Sequence, residues 1–273
     1  RWRAYFLRLR ERRLLPDKNR TNRRGFEMEG IRKLTAVAKI KWICISKNTM
    51  IMLGPVLTIA LVYGCKILYG ENTGGELPPP LMAMILCIGI STNICGDGFV
   101  MVGTAIAEEK EKHTLRVLMT SSITGWQYFF GSIALPFLLT VVINVIVLYI
   151  SGVSLSYVSM PVFLFVSVIA SLISCVIGMI VGICAKNQMN ANLIAYPFMM
   201  VFMMVPMFGN MSETLHKLSG FLFTGVVVEM TNCFANNTPY VIRPLDMAVL
   251  IGELAISVLV FLFLYKRNEY EKD

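Results

Sequence analysis

From residue 49 onward the chain alternates between long apolar runs and short polar connections. Six runs stand out: Thr49–Tyr69, Leu81–Ala107, Tyr128–Ile150, Met160–Ala185, Leu193–Gly209 and Asp246–Tyr265. A helix needs about 20 mainly apolar residues to cross a bilayer core, with about 17 the lower end, and each run reaches at least that lower end. Within lipid the backbone must satisfy its own hydrogen bonds, so isolated apolar runs of this kind cross as helices. The pattern predicts an all-α integral membrane protein with six transmembrane helices over residues 49–265 and a short tail at 266–273. The connections are Gly70–Pro80, Glu108–Gln127, Ser151–Ser159, Lys186–Asn192 and a longer stretch, Asn210–Leu245.

Ahead of the first run the period changes. Ile31, Leu34, Ala38, Trp42 and Ile45 recur at helical spacing on one face, with Arg32, Lys39 and Lys47 opposite. Residues 28–48 thus read as an amphipathic helix lying in the membrane interface; the alternative is a plain extension of the first span. Residues 1–27 have no apolar period and carry ten Lys/Arg against three acids. Met28 opens a segment that reads as a natural start, and Arg23-Arg24-Gly25 is what a purine-rich ribosome-binding site encodes. The expectation is that 1–27 is translated upstream sequence; a basic tail at an anionic membrane surface is the alternative.

Composition agrees with the spans: 56% of 273 residues are hydrophobic and 15% charged, far from a soluble domain. The net charge of +8 belongs almost wholly to the head, since beyond residue 27 the 15 basic and 14 acidic residues nearly cancel. That removes the argument for a nucleic-acid partner. Counted from Met28 with the N-terminus inside, the connections and ends divide their Lys and Arg twelve inside to three outside. The positive-inside rule then puts both termini in the cytoplasm. The seven cysteines form no CxxC pair, and the two histidines, His113 and His216, lie far apart, so no metal site is expected.

The second cytoplasmic connection holds the most informative segment. Glu108 and Lys112 stand four apart with the acid first, the favourable order for a helical pair. Leu115, Leu118 and Met119 follow with an apolar face. A charged helix continuing a span suits a lever that touches a soluble partner; an ordinary solvated loop is the plainer reading. The sequence Glu111-Lys112-His113-Thr114-Leu115-Arg116-Val117-Leu118, then Thr120-Ser121-Ser122-Ile123 and Gly131, resembles the signature of ABC type-2 permeases. It departs from that signature with His113 where Gly is usual and with Ser121-Ser122 where Ser/Thr-Pro is common.

The resemblance, running from Met28 to the C-terminus, implies a pore-forming subunit of an ATP-driven exporter in a bacterial plasma membrane. It implies a second permease subunit, in a homo- or heterodimer, and two copies of a separate ABC ATPase. ATP and Mg would be bound by that partner, and this chain would hold no cofactor. Accordingly, no GxxxxGK[ST] phosphate loop occurs in the sequence. The residues expected to contact the ATPase are Glu108, Glu109, Glu111, Lys112, Thr114, Leu115 and Leu118. In the family the stretch before the last span re-enters the membrane from outside, and Leu218–Met230 is read so; a helix resting on the outer leaflet is the alternative.

Four polar residues in or near the spans are pathway candidates. Asp97 lies between Gly96 and Gly98, with Asn93 one turn earlier on the same face. Ionisable residues within a membrane are costly and are functional candidates by default; a hydrogen bond to a neighbouring helix accounts for Asp97 equally well. Glu253, in the last span, sits roughly 10 Å in at 1.5 Å per residue, and Glu229 lies in the outer stretch. Gly89, Gly96 and Gly103 recur every seven residues, as Ser171, Cys175, Gly178 and Gly182 line the fourth run, and both read as packing seams. The rival functions are an intramembrane enzyme, which lacks histidines in the spans, and an ATP-independent immunity protein. The apolar lining points to an amphipathic or hydrophobic cargo, such as an antimicrobial peptide, a drug or a lipid-like molecule.

Overall fold

The computed structural model describes residues 48–72, 77–112 and 125–270, with isolated positions between 35 and 46. The described elements are helices joined by short connections. Residues 1–34 and 113–124 lie outside the described set, as does most of the expected amphipathic helix. Of its apolar face, Ile45 is buried in a cluster with Ile51, Met101 and Leu135, whereas Trp42 is exposed.

The first span is α1 (Thr49–Asn72). The second consists of α2 (Pro79–Ser91), a π-helical turn (Thr92–Gly98) and α3 (Phe99–Glu111). Then come α4 (Gly125–Ser151), α5 (Met160–Cys184) and α6 (Gln188–Met207). Two shorter helices, α7 (Glu213–Ser219) and α8 (Phe223–Ala235), precede the sixth span, α9 (Pro244–Tyr270). Six of these helical stretches are long and apolar enough to cross a membrane.

Several boundaries differ from the sequence reading by a few residues, and three of them bear on the site. The second span starts inside the proline run, because Pro79 stands at a helix start, where a missing N–H costs nothing. The same span runs on through the charged residues to Glu111. The fifth begins at Gln188 rather than Leu193, because the Asn187 side chain accepts from Asn190 N at 2.8 Å and caps the first turn.

The second span is the centre of the bundle. Most of it is buried, 78% of its apolar window against 17% for α6 and 22% for α1 and α9. Its α3 half packs on α5 and α6, and its α2 half packs on α8, α1 and α4. Between α3 and α5 the backbones nearly touch. A Cβ on Gly178 would lie 2.8 Å from the Phe99 carbonyl oxygen, and one on Gly182 would lie 2.9 Å from that of Gly103. This is the expected small-residue seam of the fourth span.

The heptad of glycines in the second span behaves differently. Gly89 faces Val62 and Val147, Gly96 faces Met199, and Gly103 faces Gly178 and Val181. In an unbroken α-helix two heptads drift by only about 40°. The wider π turn absorbs one extra residue, about 100° of rotation, so the three glycines serve three separate contacts.

Helices α7 and α8 meet at 106°. Helix α8 does not rest on the surface: it packs among α2, α5, α6 and α9, with Phe223 and Phe234 wholly buried. It begins at Phe223, later than the expected Leu218, and reaches Ala235. The outward faces of α1, α6 and α9 carry Leu57, Leu61, Leu193, Phe198, Leu259 and Phe263 in exposed positions, an apolar perimeter of the kind lipid covers.

Candidate functional site

One end of the bundle gathers the start of α1, the tip of α3, the starts of α4 and α6 and the end of α5. The tip of α3 lies in their midst. Four successive charged residues there fan out at about 100° each, and each reaches a different span. Glu108 Oε2 accepts from Asn48 Nδ2 at 2.9 Å, just before α1. Glu109 Oε2 accepts from the Tyr128 hydroxyl on α4 at 2.8 Å. Lys110 Nζ donates to the Ile183 and Ala185 carbonyls, the latter at 2.7 Å, at the end of α5. Glu111 accepts from Gln188 N at 3.4 Å, at the start of α6. The α9 end joins through rings, with Phe129 and Phe261 centroids 4.9 Å apart.

The chemistry of these ties follows from burial. Glu109 is only 7% exposed, so its carboxylate needs the Tyr128 donor. Lys110 brings a positive charge to the negative end of α5 and satisfies carbonyls that the helix leaves unpaired. Lys112 pairs with Glu108 as the sequence spacing predicts. Of the residues expected to face an ATPase, Glu109 therefore turns inward, Glu108 is largely covered, and Glu111 and Lys112 are exposed. Thr114, Leu115 and Leu118 lie outside the described residues. Lys110, absent from the expected set, holds the shortest ties from the tip to another span; its place beside Glu109 was the available signal.

Deeper in the second span lies a layer of polar groups. Asp97 Oδ2 accepts from the Thr58 hydroxyl on α1 at 2.9 Å, and Gly54 leaves room for its other oxygen. Asn93 donates to the Thr140 carbonyl at 2.8 Å and to Asn144 Oδ1 at 2.7 Å, both on α4. Asn93 and Asp97 were expected to share a face; the structure turns one toward α4 and the other toward α1. Ser174 Oγ on α5 donates to the Ile94 carbonyl within the π turn. A wide turn disturbs the regular backbone ladder, and side chains from neighbours make up the loss. Gly98 leaves the space that Ser174 occupies. Thr58, Ser174 and Asn144 were not identified from sequence, because nothing in an apolar run marks which hydroxyl meets a distant helix.

The other two candidates belong to the opposite end. Glu253 Oε2 accepts from Phe223 N at 2.9 Å, so this carboxylate caps the start of α8. Glu229 pairs with Arg243, which also binds Asp246 at 2.9 Å. The Tyr240 hydroxyl donates to Asp246 Oδ2 at 2.7 Å. Burial, then that hydrogen bond, hold the Tyr240 phenol above its ordinary range, so it stays a donor at neutral pH. Arg243 thereby clasps α8 to the start of α9. Glu229 and Glu253 fasten helices at this end, and neither joins Asp97 in a common hydrogen-bond network. Among the described residues no His/Cys/Asp/Glu group is arranged to hold a metal ion.

A comparison with curated proteins returned no match. A family profile described as ABC-2 family transporter protein matches residues 80–265. That match takes in the π turn, the charged tip, the glycine seam and α8. With six helices of spanning length inside an all-helical bundle, the chain is a multi-pass membrane protein and belongs to the ABC-2 family of transporter proteins.

Proposed function

We propose that this chain is the permease subunit of an ATP-driven exporter that moves an amphipathic or hydrophobic cargo out of a bacterial cell. A separate ABC ATPase, in two copies and carrying ATP and Mg, drives a pair of permease subunits. The observation that carries this reading is the helical continuation of the most enclosed span into the charged tip at Glu111 and Lys112. Movement of a soluble partner against that tip acts directly on the centre of the bundle. The cytoplasmic side is the one bearing Glu111, in keeping with the twelve-to-three excess of basic residues.

The contact with the ATPase begins at Glu111 and Lys112 and continues through Thr114, Leu115 and Leu118. Truncating an apolar anchor at such an interface commonly costs more than about 1 kcal/mol when it is a hot spot. Reversing a charge adds repulsion or leaves a partner charge unpaired. The Glu111→Lys/Leu118→Ala double variant is expected to insert normally but to retain less ATPase on co-purification and to lose ATP-driven export. Normal assembly and export by that variant would remove the basis for a coupling role.

Orientation has its own test. Cysteines placed at Asn72 and Asn237 should react with a membrane-impermeant thiol reagent added outside intact cells, and those at Glu111 and Asn187 should not. Outside labelling at Glu111 reverses the assignment.

A further inference from the structure

We infer that Glu108, Glu109, Lys110 and Glu111 form a distributor: they are positioning residues that pass one displacement of the second span's tip to four other spans at once. The inference rests on the proposed function for the source of the displacement, and on geometry for everything else. Four residues in sequence cover the full circumference of a helix. Such a run normally leaves some charges to water, which requires one side of the helix to be free. Here the helix is central and of the four only Glu111 stays exposed, while successive side chains reach the residue before α1, α4, the end of α5 and the start of α6.

The ties are graded. Lys110 is strongest, because one ammonium engages two carbonyls of a helix end and charged donors make the stronger hydrogen bonds. The Glu109–Tyr128 bond is buried and cannot be exchanged for water without cost. The Glu108–Asn48 bond is half-buried. The Glu111 bond is long and exposed, the weakest of the four, which leaves Glu111 available to a partner. Below the tip, the Gly103, Gly178 and Gly182 contacts bring the α3 and α5 backbones together, so a displacement of one bears directly on the other. A push arriving beyond Lys112 is thus shared among the spans before it reaches the Asp97 layer.

The test uses the full complex with its ATPase, on a chain whose exposed cysteines are replaced by serine. Spin labels at Tyr157 and Val241, both exposed at the opposite end, report the distance between the α4–α5 connection and the approach to α9. That distance is compared between the nucleotide-free state and the state trapped with ATP and vanadate. The unaltered clamp should give a shift of several ångström. Lys110→Met keeps the alkyl stem and removes the donors; it should abolish the shift while ATPase co-purification and hydrolysis stay within about twofold. Lys110→Arg, which still donates to two carbonyls, should restore the shift.

If Lys110→Met fails to accumulate, Tyr128→Phe takes its place and should cut the shift in the same way. A full shift in Lys110→Met or in its replacement overturns the inference, as does a far end that ignores ATP in the unaltered chain. Loss of the ATPase from a folded Lys110→Met complex also overturns it, because the tip would then be a docking surface. Failure of the proposed function itself looks different: the unaltered chain would carry no ATPase on purification.

Discussion

Gly178→Val should reduce the yield of monodisperse protein extracted from membranes by roughly tenfold or more, with Gly178→Ala intermediate. The Cβ of any replacement falls 2.8 Å from the Phe99 carbonyl oxygen, 3.0 Å from that of Gly98 and 3.0 Å from the Val102 side chain. The first two are backbone atoms of the helix opposite, so no rotamer change relieves them; α3 and α5 must part along their length. Overpacking of this kind costs about 1–3 kcal/mol and sometimes more. In lipid, where helix association depends on close van der Waals packing, separation also forfeits the contacts that hold the pair. Gly252→Val is the control, since no atom lies within 4 Å of its added Cβ. Fluorescence-detected size exclusion of the two variants decides: equal monodisperse peaks would show that the seam is not what holds the second and fourth spans together.

Asp97→Asn is expected to lower ATP-driven uptake of a rhodamine dye into inverted vesicles by about tenfold or more, with protein level and ATPase association unchanged. The substitution keeps an oxygen to accept from Thr58 and nearly the same volume, so it removes the acidic group and little else. Among the described residues no basic side chain pairs with this carboxylate. A lone carboxyl in a membrane interior is costly and is retained where it serves a pathway or a proton. Thr58→Val separates the roles, because it removes the donor and leaves the carboxyl. If Asp97→Asn transports normally while Thr58→Val loses protein from the membrane, the residue is there for packing.

The spans were legible because the requirement behind them is one-dimensional. A bilayer core demands a given length of apolar helix whatever that helix packs against, and the six runs satisfied it on their own. The charged segment after the second run was legible for the related reason that charge cannot stay in lipid. Ends were less so: the polar turn Gln188–Asn192 is helical with Asn187 capping its start, a contact that no apolar count reveals.

The glycines show where pattern reading stops. Gly178 and Gly182 were read correctly as a seam, since small residues four apart share one face of a regular helix. Gly89, Gly96 and Gly103 looked the same on paper, yet the π turn between them sends each to a different neighbour. The unusual length of that span and the Gly96-Asp97-Gly98 triplet were its only traces in the sequence. The partners of Glu253 and Glu229 were likewise hidden from the pattern: one caps a helix and the other pairs with Arg243.

By itself, then, the sequence determined that six segments are long and apolar enough to cross a membrane and where charge must collect, because hydrophobic length and charge are properties of each segment alone. Only the tertiary structure decided that the second span lies at the centre. That placement turns Glu109 and Lys110 from water-facing charges into ties to α4 and α5. Whether a charge on a helix tip meets water, a partner or its own chain depends on what surrounds that helix, and the surroundings come from segments far apart in sequence.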